Sequence, residues 1–410
     1  MRPIGILFLI FAMGLFVISG CASPVRIKNV STANAIKTGA EQTEKYLPLL
    51  NGKRIAVVAN QTSVIGRNSL IDSLKSLKIN IIKIFGPEHG FRGTASAGAH
   101  IADSIDADAE TGIREISLYG KKSKPSKADL AKIDLVVFDI QDVGARFYTY
   151  INLLAKVMEA CAENGIELLI LDRPNPNGFC VDGPVLDMKL KSGIGMFPIP
   201  ITHGMTIGEL AGMYNGEGWL ANRIKCKITV IPVAGYSHDM EYVLPVAPSP
   251  NLNTQQSVWL YPSLCLFEGT VISQGRGTHF PFTVLGNPDL KGKYEFSFTP
   301  VSIKGMSETP LHQGKPCFGL DLRKYDTSQL RETGKVNLSW LIEMYKAYPF
   351  KEKFFDQKQS NQIGNFDQLA GTTLLKQQII SGKSEKEIRA SWEPRLSDFK
   401  KLRAKYLLYP

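Results

Sequence analysis

Four short stretches of this 410-residue chain concentrate the residue types that acid–base chemistry needs. They are Asn60-Gln61-Thr62, the run from Gly86 to Gly93, the run from Asp139 to Tyr148, and Asp172-Arg173-Pro174-Asn175. Glu88 is the sharpest candidate. A carboxyl in a tight loop beside Phe85, Pro87 and Phe91 has its charged form disfavoured by desolvation, and that suits a general acid. Its structural alternatives are a helix N-cap or a salt bridge with Arg92. His89 could serve as a second acid/base or as a hydrogen-bond donor. Asp139 and Asp142 could supply the second carboxylate of a glycosidase pair, or simply charge a helix N-terminus. Arg92, Arg146 and Arg173 could clamp a substrate carboxylate bidentately, and Asp172 with Arg173 could equally be an internal ion pair. Asn60, Gln61, Tyr148, Asn175 and His203 are candidate ligand contacts by position. So are Glu268, Arg276 and His279, from a segment suited to closing over a cleft.

Such residues need a frame. The chain presents apolar strands at 54–60, 79–85, 135–139, 167–171 and 228–231, alternating with helices near 69–77, 147–164 and 206–214. The last of these opens on a capping box, Thr206 with Glu209. Strands apolar throughout and alternating with helices predict a parallel sheet covered on both faces. Residues 46–255 therefore read as a Rossmann-like open α/β domain. The Pro- and Asn-dense stretch 245–253 suggests a boundary. Residues 256–410 mix strands near 294–303 and 318–322 with helices at 336–348 and from Ser384 onward, which predicts a smaller α+β domain. In an open α/β sheet ligands gather at the carboxyl ends of the strands, and that is where the four stretches lie.

Composition narrows the class. With 44% hydrophobic and 21% charged residues the chain is globular. The net charge of +10 suits an anionic polymer, but the densest basic run, Lys121, Lys122, Lys124 and Lys127, has no aromatic interleaving, and a nucleic-acid role is not expected. Arg2 followed by an apolar stretch to Ser19 has the length of a signal peptide. The sequence Val17-Ile18-Ser19-Gly20-Cys21 looks like a bacterial lipobox, with Cys21 as the lipidated residue. Residues 22–45 then read as a tether, and the expected location is the cell envelope, lipid-anchored, at the outer membrane facing the periplasm. The remaining cysteines, far apart and odd in number, suggest neither a disulfide framework nor a zinc site. No nucleophile elbow, zinc-protease helix or phosphate-binding loop occurs. Gly216-x-Gly218-x-x-Ala221 ends a helix instead of following a strand, so it fails as a dinucleotide fingerprint, and no cofactor or metal is expected.

The stretch 55–62, Phe85–Gly93, Asp139–Tyr148, Asp172–Pro176 and Pro200–Thr206 resemble the exo-β-N-acetylmuramidase family, once known only as a domain of unknown function. The resemblance covers nearly all of residues 46–410. It implies a Rossmann-like domain, a smaller second domain with the cleft between them, and release of N-acetylmuramic acid from the non-reducing ends of peptidoglycan fragments. It also implies that Glu88 is the leading catalytic residue. The 2-acetamido group of the sugar could replace a second carboxylate as internal nucleophile. Two rivals keep the same cleft: a non-catalytic muropeptide-binding lipoprotein, and a hydrolase of another sugar or of an amide. The density of titratable groups at the strand ends argues against pure binding.

Overall fold

The computed structural model describes residues 36–88, 90–92, 112–120, 122–356 and 365–410. Its main sheet has six strands: β1 (Ile55–Ala59), β2 (Ile81–Gly86), β3 (Glu115–Ser117), β4 (Leu135–Asp139), β5 (Glu167–Leu171) and β6 (Ile228–Ile231). All neighbours are parallel, and the order is β3-β2-β1-β4-β5-β6. This is the Rossmann order, with its switch point between β1 and β4. Those two strands are buried at every residue, because helices cover both faces and leave no side for polar residues.

Alternate residues of one strand feed opposite cores. Ala56, Val58, Val136 and Phe138 pack on one face, with α3 (Tyr150–Glu163) and α4 (Ile207–Gly216). Ile55, Val57, Leu135 and Val137 pack on the other, with two helices that precede α3 in the chain, Thr43–Leu50 and Leu70–Ser76. Thr206 and Glu209 do form the capping box that starts α4. The first core runs without a break into the second half of the chain, through α5 (Gln255–Leu264) to Phe399 of the C-terminal helix Glu385–Arg403. Residues 36–410 accordingly form one compact unit.

The second half is smaller and mixed, as expected. Its sheet is antiparallel, in the order β8-β9-β7, from β7 (Val284–Asn287), β8 (Ser297–Phe298) and β9 (Cys317–Asp321). The strand expected over 294–303 forms a ladder only at Ser297–Phe298, with isolated bridges at Tyr294 and Ile303. Helix α5 has no counterpart in the sequence reading. Its capping box pairs Thr254 with Ser257 instead of a Glu or Gln, and Pro262 lies inside it. The tether expected over 22–45 gives way to folded chain from residue 36. Lys37 bridges Ala234, the Gly39 N–H donates to Asp172 O, and Ala40 and Tyr46 are fully buried. The lipobox with Cys21 lies outside the described residues. Cys161, Cys180, Cys226, Cys265 and Cys317 are all free and buried.

Candidate active site

The chain leaves β2 through Gly86-Pro87-Glu88 and turns sharply: the Gly90 N–H donates to Pro87 O at 2.9 Å. Glu115, at the start of β3, secures this turn by accepting the Phe91 N–H at 2.8 Å. Only glycine fits at 86, where a Cβ would sit 2.5 Å from Glu115 Oε1. The turn delivers Glu88 to a cleft with two lobes, of about 260 and 230 Å³. Glu88, Tyr119, Thr149, Tyr150 and Gly193 belong to both lobes, so Glu88 stands where they meet.

Neutral hydroxyls surround that carboxylate. Tyr119 is hydrogen-bonded to Glu88, and burial, reinforced by this neighbour, pushes its pKa up. Burial raises those of Tyr148 and Tyr150 also, with Glu88 adding to it. All three therefore remain protonated donors. Tyr150 is fixed from β1, since Asn60 Nδ2 donates to its hydroxyl at 3.1 Å. The Tyr148 and Tyr150 rings meet edge to face, 4.8 Å apart.

The first lobe extends toward the second half of the chain, where Asn251, Tyr261, Arg276 and Phe282 line it. The stretch read as a domain boundary is here a wall: Ser249, Asn251 and Leu252 face the cleft. Gln61 Nε2 ties this wall down through Ala247 O and Pro248 O, and the Tyr148 hydroxyl donates to Pro248 O at 2.9 Å. Asn251 is 3% exposed; its Nδ2 is spent on Met306 O, and its Oδ1 has no partner. It is a buried acceptor left without a hydrogen bond beside the cleft. The second lobe runs along α3 past Asn152 and Lys156.

Most of the other candidates face inward. Asp139 and Arg173 are paired with each other, Nε to Oδ1 at 2.5 Å and Nη2 to Oδ2 at 2.9 Å, with both side chains almost completely buried. The second carboxylate and one clamp expected from the sequence thus neutralise one another in the core, and Arg173 pairs with Asp139 instead of Asp172. Arg146, a second expected clamp, is fully buried, and its guanidinium donates to Pro184 O, Ile199 O and Leu369 O. Burial lowers its pKa to about 9, which still leaves it charged at neutral pH. Asp172 accepts from the Thr206 and Tyr409 hydroxyls and the Gly208 N–H. Burial raises its pKa to about 6. Asn175 donates to Met205 O and accepts the Asn177 N–H. It packs against Gly144 (φ +77°), where a Cβ would lie 2.3 Å from Asn175 Oδ1.

Asp142 accepts the Gly144 N–H at 2.7 Å and lies 3.6 Å from His203 Nε2. His203 Nδ1 accepts the Met205 N–H, so in the neutral ring the proton sits on Nε2, facing Asp142. Neither residue lines a lobe. Arg92 is exposed, its guanidinium over the Phe91 ring, and His279 is exposed as well. Both lie outside the lining. Glu268 sits behind Arg276, 2.7 Å from its Nε. His89 falls outside the described residues. Of the expected contacts, Glu88, Tyr148 and Arg276 share the first lobe.

Tyr119, Tyr150, Asn251, Tyr261 and Phe282 had escaped the sequence reading. Of these only Asn251 carried a signal, the Pro and Asn density of 245–253. Among the described residues no group of three His, Cys, Asp or Glu side chains stands close enough to hold a metal ion.

Known proteins place this cleft in a family. Residues 55–256 match the description "Exo-beta-N-acetylmuramidase NamZ, N-terminal", and residues 259–409 match its C-terminal counterpart. A relative from Bacillus subtilis strain 168, described as peptidoglycan beta-N-acetylmuramidase NamZ, is 39% identical over 405 residues, covering 95% of each chain. Two crystal structures of DUF1343-family proteins from Bacteroides fragilis NCTC 9343 share the fold. One has a TM-score of 0.82 at 45% identity, covering 91% of this chain and 99% of its own. The other has a TM-score of 0.76 at 29% identity, covering 92% and 99%. With both parts matched in order across nearly the whole length, the chain belongs to the exo-β-N-acetylmuramidase NamZ family.

Proposed function

We propose that this protein is a glycoside hydrolase that releases terminal N-acetylmuramic acid from the non-reducing ends of peptidoglycan fragments, with Glu88 as general acid. One observation carries the reading: among the described residues lining both lobes, Glu88 is the only carboxylate, and it stands at their junction. A glycosidic oxygen placed there has the sugar on one side and the leaving group on the other, and cleavage needs a proton delivered between them. The three tyrosines stay protonated and do not compete for that proton.

The test is turnover of a chromogenic N-acetylmuramic acid glycoside by the protein and by Glu88→Gln. Loss of at least a hundredfold supports the role of Glu88. Wild-type-like turnover by the variant refutes it, and saturable muropeptide binding with no sugar released by the wild type makes the protein a binder. We propose further that the chain is anchored in the cell envelope through a lipid on Cys21, on the strength of the apolar leader and Val17–Cys21. Incorporation of labelled palmitate that persists in Cys21→Ser would overturn this.

A further inference from the structure

N-acetylmuramic acid differs from N-acetylglucosamine by a lactyl ether that carries a carboxylate. An enzyme selecting the first sugar needs a cation aimed into the pocket that holds it. Arg146 and Arg173 are buried and bonded inside the protein, and Arg92 lies outside the lining.

Arg276 is the only cationic side chain among the described residues lining the first lobe. It is held on two sides. Nε donates to Glu268 Oε1 at 2.7 Å, and the guanidinium carbon lies 5.1 Å from the centre of the Phe282 ring. Glu268 is itself fixed, 4% exposed at its side chain and accepting from Gln274 Nε2 at 3.1 Å. The loop that carries Arg276 is stiff. Thr278 N–H donates to Gly275 O, and the Phe282 N–H donates back to Gln274 O at 2.7 Å. Phe282 has φ +54°, a conformation that a bulky residue adopts only when its surroundings impose it, and such strain clusters at ligand clamps.

The bond from Nε to Glu268 uses one edge of the guanidinium. Nη1 and Nη2 make no hydrogen bond to any described residue, and the side chain keeps 16% of its exposure. Their two parallel N–H groups match the two oxygens of a carboxylate.

We infer that Arg276, aimed by Glu268 and backed by Phe282, is the group that recognises the carboxylate of the terminal sugar and selects a 3-O-lactyl sugar over one that lacks it. This rests on the hydrolase reading above. Arg276 contacts substrate in it, and Glu268 is a positioning residue.

The experiment compares kcat and KM for the p-nitrophenyl glycosides of N-acetylmuramic acid, of its lactyl methyl ester, and of N-acetylglucosamine. Wild type, Arg276→Lys, Arg276→Ala and Glu268→Gln are each measured. The wild type should prefer the free acid over the ester by about ten- to a hundredfold, the range for a hydrogen-bonded charge. Arg276→Ala should erase that preference. Arg276→Lys, which keeps the charge but not the fork, should retain only part of it. Glu268→Gln should raise KM for the acid with little change in kcat. An acid-to-ester ratio unchanged in both Arg276 variants overturns the assignment while leaving the hydrolase reading intact. A wild type that cleaves none of the three glycosides defeats the hydrolase reading itself.

Discussion

Two regions of this molecule look alike in sequence and behave in opposite ways. The loops after β4 and β5 are dense in Asp, Arg and His, and there most of the charged groups are bonded inside the protein. Asp139 and Arg173 neutralise each other, Asp172 is ringed by donors, and Arg146 is wrapped in carbonyls. The cleft has fewer charges, but Glu88 and Arg276 face open space. A buried charge is tolerable only when it is well bonded, so this inward-facing cluster reads as scaffold. A ligand in the cleft meets Glu88 and Arg276 instead.

Mutations can break this comparison from either side. Glu88→Gln should cost a hundred- to ten-thousandfold in turnover, with an unchanged melting temperature; a large loss of stability would place Glu88 in the scaffold. Asp139→Asn should do the reverse, since it strands the buried Arg173 and destabilises the fold by about 3–5 kcal/mol. Denaturant unfolding measures this, and a fully stable but inactive variant would return Asp139 to the chemistry.

A pH titration sharpens the same division. Asp172 has a folded-state pKa of about 6 against an ordinary value of 3.8, raised above all by burial. Folding therefore favours its protonated form. The contribution is fully present below about pH 4 and is lost as pH rises through about 6, a change on the order of 3 kcal/mol. Wild-type stability relative to Asp172→Asn should fall across that window, and a difference independent of pH would contradict it. The smallest effect belongs to Tyr409→Phe, which removes one hydroxyl from this cluster and should cost about 1–2 kcal/mol without altering KM.

Much of the architecture was legible. β4, β5 and β6 run over the very residues whose apolar runs predicted them, because a strand buried on both faces must be apolar throughout. β3 was not legible, since Glu115-Ile116-Ser117 is a three-residue edge strand with little apolar pattern. The position of the cleft followed from the strand-end rule, and Glu88 from its loop. What sequence could not reveal is which polar residues face one another. Arg173 is 34 positions from Asp139, and only the register of β4 against β5 joins them. Arg276 and Glu268 are close in the chain, but the reversal at Phe282 that aims them is set by tertiary packing.

The Tyr409 contact makes the Rossmann-like half depend on residues far along the chain. Its hydroxyl donates to Asp172 Oδ2 and accepts the Val233 N–H, the Leu408 N–H donates to Glu209 Oε1, and Pro410 O accepts the His238 N–H. The centre of the Rossmann-like half is thus completed by residues that lie 176 to 237 positions from their partners Val233, Glu209 and Asp172. That half is therefore not self-sufficient: without Leu408 and Tyr409, Glu209 and Asp172 would each lose a donor to a buried carboxylate.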